Sequence, residues 1–228
     1  MIAGTALAAA SLLLPAAAPL AAAPPALAPP AARIAGATGP DIRDLQKRLK
    51  ELHYDPGPVT GTFDERTRVA VWAFQKANRI QPSGAINART RGALEHPRAP
   101  RALVTGKAAR NRVEISKRRQ LLVVYRKGRI ALITHVSTGS GRSYCGPNGC
   151  GVARTPSGDF TVFRRLGGWH RSALGYMYRP LYFHGGYAIH GSLRVPRRPA
   201  SHGCVRVPMH TADLLPRLVR NGTRVHVR

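Results

Sequence analysis

One cysteine and two histidines near the end of the chain have the side chains that covalent chemistry requires. A thiol that attacks a carbonyl must be partly ionised, needs an imidazole within hydrogen-bond reach, and needs donors for the oxyanion that forms. Cys204 could be that thiol, with His190 or His202 as the imidazole. Gly203 has no Cβ, so backbone N–H groups around it could approach a reacting carbonyl closely. These residue types indicate acyl transfer by a cysteine nucleophile.

The spacing of these residues leaves their arrangement open. His202 lies two residues before Cys204, so in an extended segment the two side chains would point to the same side. His190 lies 14 residues before Cys204, and only the fold can bring it to the sulfur. A cysteine with a histidine nearby is a weak signal by itself, because a free cysteine is often a small buried hydrophobe.

Two further cysteines, Cys145 and Cys150, flank the turn sequence Gly-Pro-Asn-Gly. In an oxidising compartment they could close a small disulfide loop, which would leave Cys204 as the odd thiol. The pair could also bind a metal, but no second Cys/His pair of suitable spacing lies nearby. We therefore expect no metal site and no other cofactor.

The elements that must position these residues read as strands in the second half of the chain. Alternating or β-rich runs cover 113–116, 120–125 and 130–136, and a turn at 126–129 joins the last two as a hairpin. Further predicted strands cover 161–164, 187–189 and 223–228. The stretch 166–183 is predicted to be irregular, and its aromatic residues to cover the site or fill the core beneath a loop. After Cys204, Pro208 suits the first position of a helix that ends at Asn221-Gly222, although Pro216 should kink or shorten it.

Residues 41–97 predict a small helical domain. Ile42, Leu45, Leu49 and Leu52 keep helical spacing, and Thr62 with Glu65 is predicted to form a capping box for a second helix. The pattern from Gly61 to Ala70 recurs from Gly84 to Ala93, with a glycine, Asp or Asn, threonine and alanine at matching positions. Each copy reads as a turn, a cap and a helix start.

Charge and composition divide the rest of the chain. Residues 98–228 hold 25 basic and 3 acidic groups, so this half should be attracted to a polyanion such as nucleic acid, an anionic wall polymer or lipid headgroups, unless it is merely a solvated basic surface. Residues 1–40 carry one charge and many alanines and prolines, which predicts an export signal and an extended linker, with an uncleaved anchor as the alternative. A spanning helix is disfavoured by the density of prolines.

The stretch Ile189-His190-Gly191-Ser192 followed by Ser201-His202-Gly203-Cys204-Val205-Arg206 resembles the L,D-transpeptidase family of cell-wall enzymes, which has a YkuD-type catalytic domain. Ser-Thr-Gly at 137–139 and Thr155-Pro-Ser-Gly-Asp-Phe also resemble elements of that family. Residues 41–97 resemble the peptidoglycan-binding domain that often accompanies wall enzymes. The resemblance implies an α+β multidomain fold, with a three-helix domain at 41–97, a linker at 98–109 and a mainly-β sandwich at 110–228.

By this resemblance the reaction is a two-step acyl transfer in which Cys204 takes the third residue of a tetrapeptide stem, releases D-Ala and passes the acyl group to an amine of a second stem. His190 is the expected base, oriented by Gly191 or Ser192, with His202 as a second candidate, and the N–H groups of Gly203 and Cys204 are expected to form the oxyanion hole. Substrate contacts are expected from Arg206, Ser201, Ser192 and at least one of Tyr176 and Tyr178, although Arg206 could instead brace the loop. The connection from His190 to Ser201 has 10 residues, fewer than in many relatives.

The expected partners are peptidoglycan stem peptides and glycan, with anionic wall polymers as a further candidate and no specific nucleic acid. The expected location is the cell wall or periplasmic space, after export. Water as acceptor would make the chain an L,D-carboxypeptidase, and an inert thiol would leave a non-catalytic wall-binding protein. A papain-like peptidase is disfavoured because it would place its cysteine before its histidine, and a nucleic-acid binder lacks a recognisable motif.

Overall fold

A computed structural model of the chain describes residues 1, 39–105, 109–147 and 149–228. The elements in these residues are, in chain order, α1 (Pro40–Glu51), α2 (Glu65–Ala77), α3 (Ala88–Glu95), β1 (Arg112–Ser116), β2 (Leu121–Arg126), β3 (Arg129–His135), β4 (Ser143–Gly146), β5 (Gly149–Val152), β6 (Gly158–Thr161), β7 (Arg164–Arg165), β8 (Trp169–Ser172), β9 (Gly175–His184), β10 (Tyr187–Ser192), β11 (Val205–Pro208), α4 (Met209–Leu218) and β12 (Arg224–Val227). The predicted order of a helical part before a mainly-β part is confirmed.

Two five-stranded sheets form the body of the β part, and β4 and β5 pair separately as a two-stranded sheet. One has the strand order β3-β2-β1-β12-β6 and the other β11-β10-β9-β7, with β8 paired to β9. One apolar core contains side chains from both sheets and from α4, among them Ile115, Leu181, Ile189 and Leu215, all at most 1% exposed. Since each sheet buries its alternating apolar face against the other, the architecture is the predicted sandwich.

Strand β2 is buried on both faces, which explains its continuous apolar sequence. Leu122 and Val124 belong to the core between the sheets. Leu121, Val123 and Tyr125 point to the opposite face and pack with the helices, where they share a second core with Phe74. The helical part is therefore packed directly against the outer face of the first sheet.

Polar contacts also join the helical part to the β part and to α4. The Ile133 N–H donates to the His53 carbonyl at 2.8 Å, and Thr211 Oγ1 donates to Asp55 Oδ2 at 2.8 Å. The predicted linker at 98–109 also makes tertiary contacts where it is described, since the Leu103 N–H donates to Glu114 Oε2 at 2.7 Å. These bonds and the shared apolar core hold the helices in one orientation on the sheet.

The internal repeat of the helical part corresponds to a repeated hydrogen-bond network. The wholly buried Gln46 accepts from the Gly61 N–H and donates to Thr67 Oγ1, both at 2.9 Å. In the second copy, Gln75 accepts from the Gly84 N–H at 2.9 Å and donates to Thr90 Oγ1 at 3.1 Å. The repeat therefore encodes two equivalent turns, each held by one buried glutamine amide.

The same repeat corrects a predicted helix boundary. Asp64, not Thr62, is the N-cap of α2, because its carboxylate accepts from the Thr67 N–H at 2.9 Å. Asn87 caps α3 in the same way through the Thr90 N–H. An aspartate and an asparagine at matching positions satisfy the same free helix donor, which the capping-box pattern had assigned to the wrong residue.

Three other sequence-based expectations are revised. The stretch 166–183 is not irregular, because β8 and β9 pair across it in a hairpin. Pro208 is the N-cap of α4, not its first residue, and the helix ends at Leu218, before Asn221-Gly222 and two residues after Pro216. The predicted export signal and linker at 1–40 lie almost entirely outside the described residues. None of the described helices combines the length and apolarity needed to cross a membrane.

Candidate active site

Strands β10 and β11 bring the two motifs of the sequence together. They pair in parallel, with His190 opposite Arg206 in the register, and Cys204 directly precedes β11. The 10-residue connection returns the chain to the same end of the sheet. As a result His190, Cys204 and Arg206 all line one cavity of about 460 Å³.

His190 has a fixed orientation in this cavity. It is 5% exposed, and its Nδ1 lies 2.9 Å from the Gly191 carbonyl oxygen. Because a carbonyl only accepts, Nδ1 carries the proton and Nε2 has a free lone pair. Burial lowers the pKa of His190 to about 4, with the positive charge of Arg206 a smaller contribution in the same direction. The imidazole is therefore neutral, and a base, over the whole physiological range.

Cys204 does not have the lowered pKa that the sequence led us to expect. The residue is half-buried, and enclosure of its thiol raises the pKa above its ordinary value, although Arg206 opposes the shift. Its Sγ lies 3.8 Å from the Gly186 carbonyl oxygen, and within the described residues no hydrogen bond joins it to His190. The resting pair is thus a neutral thiol and a neutral imidazole, and proton transfer must accompany attack.

The turn that carries Cys204 is tied together by Ser201. This serine is 2% exposed, and its hydroxyl donates to the Cys204 carbonyl oxygen at 2.5 Å while it accepts from the Gly203 N–H at 3.0 Å. The turn is a bend, not the extended segment considered for His202 and Cys204. The Gly203 N–H is therefore committed within the turn, which removes it from the expected pair of oxyanion donors.

Gly203 has a steric role instead. Its φ of +142° lies in a region that L-residues rarely adopt, and an added Cβ would come 2.6 Å from Tyr187 Cε1 and 3.0 Å from the Arg154 carbonyl oxygen. Its own carbonyl accepts from Thr155 Oγ1 at 2.7 Å. Glycine is needed here so that the turn can pack against the 154–155 backbone and the Tyr187 ring.

The Ser-Thr-Gly and Thr-Pro elements of the sequence brace this turn. The Thr138 carbonyl accepts from the Ser201 N–H at 3.0 Å, and Ser137 exchanges two backbone hydrogen bonds with Arg206. Gly139 packs so closely on the 153–155 backbone that a Cβ would come 2.4 Å from the Ala153 carbonyl oxygen. The motif residues outside the Cys/His pair therefore support the turn at 201–204, which carries Cys204.

The β4–β5 hairpin forms one wall of the cavity. Cys145 and Cys150 face each other across the hairpin and are joined by a disulfide, which leaves Cys204 as the free thiol. The Tyr144 ring meets the His202 ring edge-on, with centroids 5.0 Å apart. The opposite wall is the β8–β9 turn, whose Leu174 touches Gly146 of the hairpin. The two hairpins meet beside the cysteine and enclose the cavity.

Known proteins share the sequence and the fold of this chain. Residues 110–227 match the family profile described as the L,D-transpeptidase catalytic domain, YkuD, and residues 38–94 match a peptidoglycan binding domain. The crystal structure of an L,D-transpeptidase from Xylanimonas cellulosilytica DSM 15894 is 38% identical, with a TM-score of 0.79, over 85% of this chain and 95% of that one. The chain belongs to the L,D-transpeptidase family.

Two further matches are more distant. An L,D-transpeptidase from Stackebrandtia nassauensis is 23% identical, with a TM-score of 0.51, over 84% of this chain and 92% of that one, and supports the fold alone. The carboxy-terminal processing protease CtpB of Bacillus subtilis (strain 168) is 40% identical over 50 residues, which are 22% of this chain. The chain matches about a tenth of the length of that curated relative.

Of the remaining predicted site residues, some line the cavity and one does not. Tyr176 lines the cavity and is 64% exposed, and Ser192 lines it while bonding to Arg194 of its own turn. Tyr178 does not line the cavity, because its hydroxyl donates to Asp213 Oδ1 at 2.8 Å and its ring packs on Gly191. Its ring also packs against the apolar core between the sheets, so we no longer expect it to contact substrate.

Arg206 is half-buried, and no carboxylate partner for its guanidinium lies within the described part of the chain. Burial lowers its pKa, the Cys204 sulfur opposes this, and nearby Arg194 adds to it. The residues of the cavity wall that sequence reasoning missed include Tyr144, Leu174 and Tyr187. No local pattern identifies them, since their places depend on how two hairpins pair and meet.

Replacing Gly203 by alanine should destabilise the turn and lower activity. The added Cβ meets Tyr187 and the Arg154 backbone, and the strained φ costs a further ~1–3 kcal/mol of folding free energy. The thermal midpoint and the alkylation rate of Cys204 measure both effects. Gly39→Ala is the matched control, because Gly39 has a φ of +143° with no atom within 4 Å of an added Cβ. Equal losses in both variants would show that the packing of Gly203 does not matter.

Replacing both Cys145 and Cys150 by serine should weaken substrate binding more than turnover. The disulfide closes a short loop in the cavity wall. In the chain-entropy account, such a cross-link stabilises the folded state by about 2 kcal/mol. We expect KM for a peptide donor to rise several-fold with kcat retained, measured by steady-state kinetics. Ser143→Ala, at an exposed position of the same hairpin, is the control. An unchanged KM would mean that the hairpin makes no contribution to binding.

Proposed function

We propose that the chain is a cell-wall L,D-transpeptidase that forms third-to-third peptidoglycan cross-links through a thioester on Cys204. The observation that carries the proposal is that the free thiol shares one cavity with His190, whose Nδ1 is committed to the Gly191 carbonyl and whose Nε2 is free. An inert structural cysteine needs neither a nearby unprotonated imidazole nitrogen nor an open cavity.

In the first half-reaction, Cys204 Sγ bonds to the carbonyl carbon of the third stem residue as its proton passes to His190 Nε2. The tetrahedral intermediate then breaks its C–N bond to the fourth residue. D-Ala leaves with the proton from His190, and a thioester remains on Cys204. The neutral resting pair suits this sequence, because both proton transfers go through one imidazole that starts and ends unprotonated.

In the second half-reaction, the side-chain amine of a second stem attacks the thioester. His190 takes the proton of that amine, the C–S bond breaks, and the thiol is restored with a new amide linking the two stems. Water in place of the amine gives a tripeptide, which is the L,D-carboxypeptidase alternative. Which product forms depends on which acceptor reaches the thioester first.

Charge and donors around the thiol support a peptide substrate with a carboxylate. Arg206 lines the cavity, with Arg194 close by, and a planar guanidinium fork suits a stem carboxylate. The Cys204 N–H has no bond to a described residue, and we assign it to the oxyanion in place of the Gly203 N–H. Tyr176 provides an exposed ring at the cavity mouth for the stem.

The helical part is proposed to bind peptidoglycan, in keeping with its family match, and to keep the catalytic part at the wall. A chain with this substrate would act after export, in the cell wall or periplasmic space, where the disulfide is also stable. The basic surface of 98–228 would be attracted to anionic wall polymers as well.

The test is the full chain incubated with a diaminopimelate tetrapeptide, with products separated by liquid chromatography. Release of D-Ala together with a cross-linked dimer is expected, and release with tripeptide alone would select the carboxypeptidase alternative. A pentapeptide ending in D-Ala-D-Ala is the matched control, because release of free D-Ala from it requires cleavage after the fourth residue instead of the third. No release from either peptide by folded, reduced protein would leave the non-catalytic wall-binding alternative.

A further inference from the structure

The connection between His190 and Ser201 is anchored by residues that belong neither to it nor to the turn at 201–204. His135 Nε2 lies 3.2 Å from the Val195 carbonyl oxygen and 3.0 Å from that of Pro196. Since both partners are acceptors, Nε2 carries the proton of the imidazole. Ser137 Oγ donates to the Arg198 carbonyl at 2.8 Å. Three carbonyls of the connection are thus held by His135, the last residue of β3, and by Ser137, two residues further on.

The anchor His135 is in turn held by the helical part. The Lys76 Nζ, from α2, lies 2.7 Å from His135 Nδ1 and 3.3 Å from the Gln120 carbonyl oxygen. His135 is wholly buried, and burial lowers its pKa to about 4, which keeps the ring neutral. A neutral ring with Nε2–H leaves Nδ1 as an acceptor for Lys76, and Nδ1 also lies 3.2 Å from the Gln120 carbonyl oxygen to which Lys76 donates.

A second contact reaches the helical part from the connection itself. The Arg197 guanidinium donates to the Pro82 carbonyl at 2.8 Å and lies over the Trp72 ring, 5.6 Å from its centroid. The Trp72 ring also meets His135 edge-on, with centroids 5.6 Å apart. Trp72 therefore contacts both His135 and Arg197. The Arg197 side chain extends from an exposed part of the connection to reach the Trp72 ring.

From these anchors a continuous set of hydrogen bonds leads to the nucleophile. Gln120 fixes Thr138 twice, with the Thr138 N–H donating to Gln120 Oε1 at 2.9 Å and Gln120 Nε2 donating to Thr138 Oγ1 at 2.7 Å. The Thr138 carbonyl accepts from the N–H groups of Ala200 and Ser201. Ser201 holds the Cys204 carbonyl. Lys76 thus bonds to both His135 and Gln120, the two residues from which these contacts start.

We propose that Arg197 and His135 are positioning residues for acyl transfer, and that the helical part holds Cys204 in its reactive place through Trp72, Lys76 and Pro82. The helical part would then complete the catalytic scaffold in addition to binding the wall. This inference rests on the proposed function for its turnover readout, although the placement of the thiol can be measured without any peptide substrate.

The test compares Arg197→Ala with Arg198→Ala in the full chain. Both remove one positive charge from adjacent exposed positions, but the Arg198 side chain has no hydrogen-bond or ion-pair partner among the described residues. We expect Arg197→Ala to lower kcat for D-Ala release about 10-fold with KM unchanged, since small displacements of a reacting group are costly. Arg198→Ala should match the wild type, and Arg197→Lys should restore most of the loss.

The helical side is tested by Lys76→Met, with the exposed Lys47→Met of α1 as its control. Lys76→Met should lower kcat as Arg197→Ala does. The iodoacetamide alkylation rate of Cys204, which needs no peptide, should differ several-fold from the wild type in both variants and in neither control. If the wild type releases no D-Ala, the proposed function fails while the alkylation rates still decide this inference. Equal kcat and alkylation rates in Arg197→Ala and Arg198→Ala, whether both high or both low, would overturn it.

Discussion

Replacing Cys204 by alanine is expected to abolish acyl transfer while leaving the fold intact. The thiol is the only nucleophile we assign in the cavity, and loss of a catalytic nucleophile typically lowers kcat by about 10⁴-fold or more. The side chain is half-buried, and truncation to alanine removes a single sulfur atom from the cavity wall. The measurement is D-Ala release from a tetrapeptide donor, followed beside circular dichroism and the thermal midpoint.

Binding to peptidoglycan separates this expectation from a general loss of structure. Cys204→Ala should sediment with purified sacculi as the wild type does, because the helical part is untouched. Turnover by the alanine variant at more than a few per cent of the wild-type rate would contradict a Cys204 thioester. Loss of both turnover and wall binding would point to misfolding, in which case Cys204→Ser provides a second variant of nearly equal volume.

Replacing His190 by glutamine is expected to lower kcat by roughly 10²–10⁴-fold, the usual contribution of a general base. Glutamine can still donate to the Gly191 carbonyl but cannot take a proton from the thiol. His202→Gln is the matched control, because His202 also lines the cavity but is exposed and packs on Tyr144. A larger loss in His202→Gln than in His190→Gln would reverse the two assignments.

The pH dependence of the wild type tests the same pair without mutation. Burial lowers the pKa of His190 to about 4, so the imidazole stays an effective base until the pH falls through that value, not through 6.5. Burial raises the pKa of Cys204, so alkylation of the free enzyme should keep rising with pH through and beyond 8.5, with no plateau between pH 5 and 8. A plateau in that range would instead indicate a thiolate–imidazolium ion pair in the resting enzyme.

How far the sequence predicts the site depends on whether a residue acts through its type or through its surroundings. That Cys204 and His190 lie together was predictable, because each stands in a distinctive motif and few residue types could do this chemistry. The raised pKa of the Cys204 thiol was not predictable, since desolvation depends on the side chains that enclose the sulfur. The Gly203 N–H was assigned to the oxyanion because a motif cannot reveal that Ser201 already accepts from it.

The fold shows the same division. Strand β2 was predictable from its β-rich run, but that run cannot say that one face meets the second sheet and the other the helices. The β8–β9 hairpin was missed because Gly167 and Gly168 precede β8 and Gly175 begins β9, which is typical of a loop, and Tyr178 was misplaced with it. The contacts of Lys76 and Arg197 across the interface join residues far apart in the chain, which spacing cannot predict.

The most direct test of the mechanism is intact-protein mass spectrometry of the full chain after brief mixing with a diaminopimelate tetrapeptide. A covalent adduct with the mass of the tetrapeptide less D-Ala, located on Cys204 by peptide mapping and absent from Cys204→Ala, is the predicted result. Decay of that adduct in step with the appearance of cross-linked dimer would assign the second half-reaction. Two results would contradict the thioester mechanism. One is turnover of the donor by folded, reduced protein without any adduct on Cys204, and the other is formation of the same adduct by the Cys204→Ala variant.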